Sequence, residues 1–176
     1  MKSILSFMLC FIFVAGCKKP DAGNKNNCPP ALQGKWVRGE FNMAEFDTYQ
    51  GTAVMDAALT TGAFEFLASG AVKAYSVSFP TDAQAGCNPQ LLLLYTGRGD
   101  YAVEGKVLMY FTGGTERKFY QQCTGKTNTQ RVFTANDFNG PLTCYWSVET
   151  AGNKTLLAIR YDLPGNPKLY FERKNW

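Results

Sequence analysis

From residue 35 to the C-terminus the chain is a succession of short apolar or alternating runs, and nearly every gap between them holds a glycine or an asparagine. The runs cover residues 35–43, 63–67, 71–79, 91–96, 100–103, 106–112, 117–123, 130–133, 142–149, 155–161 and 168–173. Each is of strand length, and several alternate at the two-residue period of a pleated strand. Periodicity leaves 91–96 ambiguous between strand and helix, but its shortness and the flanking Pro89 and Gly97 favour a strand. Many short strands with tight turns predict an all-β fold, an antiparallel sandwich or barrel. One stretch interrupts the series: 44–61, where Ala53 to Leu59 reads as one or two helical turns.

The first residues belong to a different kind of segment. Lys2 is followed by an apolar run from Ile4 to Ala15, broken only by Ser6. That is a signal-peptide pattern, and about 12 apolar residues fall short of the roughly 20 a helix needs to span a bilayer. Val14-Ala15-Gly16-Cys17 then resembles the lipobox of bacterial lipoproteins. The resemblance implies cleavage before Cys17, lipidation of that cysteine and anchoring to a membrane of the bacterial cell envelope. Lys18 is not the aspartate tied to inner-membrane retention in enteric bacteria, so the outer membrane is the expected site. Residues 1–16 are thus read as signal peptide, 17–30 as a lipidated tether poor in large apolar side chains, and 31–176 as one folded domain.

The charge balance narrows the partners. Lys18, Lys19 and Lys25 stand in the tether against Asp21; setting these and Lys2 aside leaves 14 basic and 13 acidic residues in 31–176. Such a balance gives no footprint for nucleic acid, while the tether lysines suit anionic headgroups.

Cys28, Cys87, Cys123 and Cys144 remain after the leader and Cys17 are removed. An even count in an exported chain predicts two disulfides. Three connectivities are possible, with Cys28–Cys144 and Cys87–Cys123 favoured, each contributing roughly 4 to 5 kcal/mol in the chain-entropy model. No cysteine pair has zinc-knuckle spacing, and the chain contains no histidine, so no metal site or other cofactor is expected. The missing histidine also removes Ser-His-Asp and Cys-His nucleophile pairs and the HExxH helix. Hydrolysis by a carboxylate pair survives that exclusion, but no motif marks such a pair. The chain is therefore expected not to be an enzyme.

Gly34-Lys35-Trp36 resembles the Gly-x-Trp signature of lipocalins and the wider calycin superfamily, which opens the first strand and closes the barrel floor. The ending "LYFERKNW" supplies Arg173 for the arginine that lies across that tryptophan in the family, and "GDYAVEGKVLMYF", residues 99–111, is similar to hairpins of bacterial lipocalin-like lipoproteins. The resemblance implies an antiparallel up-and-down β-barrel with at most one or two short helices, whose first long connection, 44–61, gates any cavity. Candidate ligand contacts are Arg38, Tyr75, Tyr110 and Trp146. Regular alternation carries Arg38 and Glu40 to the same side as Trp36 unless a bulge at Gly39 turns them out.

The expected function is binding of a small apolar or amphipathic ligand. The alternative is a filled barrel that engages or inhibits an envelope protein. Arg98-Gly99-Asp100 matches an integrin-binding tripeptide, but Gly97 and Gly99 are explained as turn formers.

Overall fold

The computed structural model describes residues 27–51, 60–80, 87–102, 105–121, 123–163 and 165–176. Cys17 and the leader, and the expected helical turns at Ala53 to Leu59, lie outside the described residues. Nine strands follow in order: β1 Gly34–Arg38, β2 Thr61–Phe66, β3 Ala71–Ser78, β4 Gln90–Tyr101, β5 Lys106–Phe119, β6 Thr129–Thr134, β7 Leu142–Ala151, β8 Lys154–Tyr161 and β9 Leu169–Arg173. All their pairings are antiparallel, and β4–β5 and β1–β9 contacts close the sheet into a ring. Helical structure among the described residues is two 3-10 turns, Met43–Glu45 and Ala135–Asp137. The fold is all-β and barrel-like, as the strand series predicts.

Both β6 and β7 pair with β5, but with different halves of it: Thr129–Thr134 lies against 113–118, and 142–145 against 106–109. The two therefore act as one strand broken by the 135–141 excursion. With that reading the ring is an eight-membered up-and-down meander.

Two pairs of expected strands are each one long strand. Runs 91–96 and 100–103 merge into β4, and 106–112 and 117–123 into β5, which ends at Phe119. The glycines between them are not turns. A Cβ on Gly97 would sit 2.0 Å from the Tyr110 carbonyl oxygen, and one on Gly114 would sit 2.1 Å from that of Leu94. They let the two backbones approach at the bulge between Thr96 and Gly97, where the register shifts. The Arg98-Gly99-Asp100 tripeptide is accordingly in mid-strand rather than at a loop tip.

Alternation sorts the apolar side chains into two cores. The inner one holds Trp36, Phe64, Phe66, Val72, Tyr101, Val107, Met109, Leu157, Ile159 and Phe171. The other lies on the outer face of β1 to β5, where Val37, Ala63, Tyr75, Val77 and Leu92 are covered by Phe41, Met43, Phe46 and Tyr49. Arg117 pins this cover: its guanidinium donates to the carbonyl of Phe46 and, at 3.2 and 3.3 Å, to those of Asp47 and Tyr49. The part of the first connection up to Tyr49 is thus plastered on the wall, while residues 52–59 of the expected gate lie outside the described residues.

The packed structure also reaches earlier than expected. Cys28 and Leu32 are buried in the inner core, which brings ordered chain into the stretch assigned to the tether.

Candidate functional site

One end of the ring is closed. Trp36 is fully buried, its indole N–H donates to the Leu32 carbonyl at 2.8 Å, and the Arg173 guanidinium lies 4.9 Å over its ring. Strand pairing sets Trp36 directly opposite Arg173. Gly34, at φ 118°, leaves the space the guanidinium occupies, since a Cβ there would touch Arg173 Nε at 3.4 Å. Arg173 also donates to the Gln33 carbonyl, tying the last strand to the chain just before β1. The structure therefore brings Gly34, Trp36 and Arg173 together as one unit.

The inner core above this floor is solid. Phe66, Val72, Val107, Met109, Leu157 and Ile159 are all below 2 % exposure, too tight for a guest molecule.

The opposite end is different. A cavity of about 470 Å³ is lined by Ala74, Ser76, Tyr95, Phe111, Phe133, Phe138 and Tyr161 among others. Tyr95 is the hub of its aromatic wall, with ring centroids 5.5, 5.4 and 5.5 Å from Phe111, Phe133 and Phe138. Small side chains make the room. On β3 the inward residues facing β4 are Ala74 and Ser76, opposite Tyr95 and Leu93. Phe138 comes from the excursion between β6 and β7. That excursion is held by Asp137, which accepts from the Thr134 backbone N–H at 2.8 Å and hydroxyl at 3.0 Å and pairs with Arg131. These bonds hold the Asp137 carboxyl below its usual range, the Thr134 backbone bond having the largest effect.

Charged groups continue the strand row of Ser76 and Leu93. Glu116 sits opposite Leu93 on β4 and Arg131 on β6, and pairs with Lys118 at 3.5 Å. Burial raises the Tyr95 and Tyr161 hydroxyls; Glu116 adds to the first shift, while Arg38 acts against the second. Both phenols are therefore neutral hydrogen-bonding groups at physiological pH.

Of the four sequence-derived ligand candidates, Tyr75 is among the residues bordering the cavity and Arg38 stands on the same strand row as its Ser76. Arg38 is exposed, opposite Gly62, which in turn lies opposite Ser76 of the cavity wall. Gly39 at φ 103° ends β1 there, so Glu40 falls outside the strand. Tyr75 borders the cavity, but its ring belongs to the outer core, 5.0 Å from Phe46 and 6.2 Å from Trp176, with its hydroxyl on Glu65 at 3.4 Å. Tyr110 alternates with the inward Met109 and Phe111 and carries Arg98 6.0 Å over its ring. In both rows the larger side chains face out. Trp146 packs against the inner core, away from the cavity lining. Its indole nitrogen and the Tyr101 hydroxyl are buried without a hydrogen-bond partner of normal geometry among the described residues. The Tyr101 hydroxyl nevertheless lies close to the Cys28 thiol.

Among the cysteines, Cys87 and Cys123 form a disulfide that joins the loop before β4 to the loop after β5. The expected Cys28–Cys144 bond is absent, and both are buried free thiols. Their surroundings differ: the Cys28 thiol donates to the Pro29 carbonyl at 3.6 Å beside Tyr101, whereas Cys144 lies opposite Tyr161 and Val107. Burial raises the Cys28 thiol and pushes Cys144 up to about 12, so neither is a thiolate near neutral pH.

The aromatic wall is what sequence reasoning missed. Phe133 stood at the end of an expected strand, and Thr134-Ala135-Asn136-Asp137 carries the spacing of a capping box, which signals a break before Phe138. Among the described residues, no group of three or more His, Cys, Asp or Glu stands ready to hold a metal. Comparison with protein-family models, curated proteins and solved structures finds no match to the chain.

Proposed function

We propose that this chain is a binding module, a lipoprotein anchored through Cys17 in a bacterial envelope, whose ring-shaped sheet holds a small apolar or amphipathic molecule at its open end. The cavity at that end is the observation that carries the reading: about 470 Å³, aromatic-walled, with a few polar groups at its edge. Those are the usual properties of a small-molecule site. Binding rather than catalysis is favoured because the wall offers Tyr, Phe, Ser and one ion-paired aspartate, without a nucleophile and base in mutual contact. Lys18, where an aspartate would favour inner-membrane retention in enteric bacteria, supports the outer membrane as the site of anchoring.

Native mass spectrometry of the full chain tests the reading. A discrete extra mass that is lost on denaturation supports it. A chain that carries no extra mass and takes up no added small apolar compound contradicts it.

A second reading, a protein-binding or inhibitory module, draws on the solid lower half and on β6, whose outward Val132 is 65 % exposed. Deletion of 135–141 that abolishes capture of an envelope protein, while small-molecule uptake was never present, would favour it.

A further inference from the structure

We infer that the cavity selects a compact planar ring compound carrying one carboxylate, with the ring against Tyr95, Phe111, Phe133 and Phe138 and the carboxylate toward Arg38 and Ser76. The inference rests on the proposed small-molecule reading and narrows it to a ligand class.

Shape comes first. The lower half of the ring is filled by side chains under 2 % exposed, so a long acyl chain has no axial channel to enter. The open half is bounded below by that packing and on the sides by four rings, with Tyr95 and Phe138 each 5.4 to 6.0 Å from the other three. Such a site suits a short, wide guest that can offer both faces and edges to neighbouring rings.

Charge comes second. Arg131 is committed to Asp137, and Lys118 to Glu116 at 3.5 Å. Among the described residues Arg38 has no carboxylate within ion-pair distance. Its charge, on the same strand row as Ser76, reaches the Tyr161 hydroxyl in the cavity wall. Between Arg38 and Ser76 the neighbouring strand places Gly62, which interposes no side chain. The row Arg38, Gly62, Ser76 thus sets a guanidinium and a hydroxyl on either side of a glycine whose free space is bounded by the Phe171 ring, 3.5 Å from where a Cβ would sit, so that a carboxylate at the rim can meet both polar groups.

The test titrates the full chain with naphthalene-2-carboxylate, the neutral naphthalene-2-methanol and hexadecanoate, reading tyrosine and tryptophan fluorescence and calorimetric heat. The expected result is saturable binding of the naphthoate, about threefold to fivefold tighter than the alcohol, as an exposed ion pair allows. Arg38→Gln should erase that difference and leave alcohol binding unchanged. Hexadecanoate should neither bind nor displace the naphthoate.

Equal affinity for acid and alcohol, or an Arg38→Gln chain that still prefers the acid, overturns the carboxylate assignment. Hexadecanoate binding with the naphthoate excluded overturns the ligand class while leaving the cavity as a binding site. Failure of all three probes to bind removes the small-molecule reading and this inference with it.

Discussion

Replacing Cys123 by serine opens the one crosslink found among the described residues. The bridged cysteines are 36 positions apart. In the chain-entropy model a loop of that size removes about 13 cal/mol/K from the unfolded ensemble, equivalent to about 4 kcal/mol at 25 °C. The bridge spans two loops at the open end, so its loss should leave the Trp36 floor intact and act through the unfolded state. Urea unfolding followed by tryptophan emission, on oxidised wild type, reduced wild type and Cys123→Ser, gives the three free energies. Reduced wild type and the variant should coincide, both below oxidised wild type by about 2 to 4 kcal/mol, because measured bridges often deliver less than the model. A loss below about 1 kcal/mol would refute the reasoning. So would a variant whose floor tryptophan is already exposed before unfolding.

Other outcomes follow from the same geometry. Alkylation should modify Cys28 and Cys144 only after denaturation, and peptide mapping should find Cys87 joined to Cys123; a Cys28–Cys144 peptide would contradict the observed thiols. Gly97→Ala places a methyl 2.0 Å from a backbone oxygen and should cost about 3 kcal/mol or more in urea unfolding, since the neighbour is backbone and cannot rotate away. Phe138→Ala removes contacts to Tyr95, Phe111 and Phe133 from a partly buried ring and should cost about 1 to 2 kcal/mol while weakening naphthoate binding. For Asp137 the folded-state pKa is lowered, so its stabilisation is fully present above the ordinary value of 3.8 and disappears as pH falls through the depressed one. Wild type should therefore outlast Asp137→Asn at pH 7, and the gap should close on acidification; a gap that widens toward low pH reverses the sign and refutes the assignment.

The sequence was legible where one physical rule dominated. Period-two runs and turn residues gave the antiparallel strands. It misled where a second rule competed with the first. Gly97, Gly99, Gly113 and Gly114 look like turn residues, yet they lie inside β4 and β5; at Gly97 and Gly114 the reason is close backbone approach, and at Gly99 it is the room taken by the Tyr101 ring. Tyr75 was named a ligand contact, and its ring packs outward. A strand whose outer face is roofed by Phe46 and Trp176 can bury its large side chains outward, and the inward Ala74 and Ser76 then leave space. The cavity is thus written in the small residues of β3, a signal that a search for large ligand contacts passes over. Cys28 and Cys144 were paired on parity, which counts thiols without knowing which neighbours the fold gives them. The register of Arg38 follows from alternation from Trp36, which needs no tertiary knowledge, whereas Phe138 enters through an irregular break that periodicity does not register.

The central claim is that a small molecule binds at the open end of the ring, over β3, β4 and the 135–141 excursion. Nuclear magnetic resonance of the full chain, titrated with naphthalene-2-carboxylate, tests it most directly. The account predicts concentration-dependent shifts at Tyr95, Phe111, Phe133 and Phe138, with Trp36 and Phe66 in the closed half unmoved. Shifts confined to the outer cover at Phe41, Phe46 and Tyr49, or no shifts at saturating probe, would contradict it.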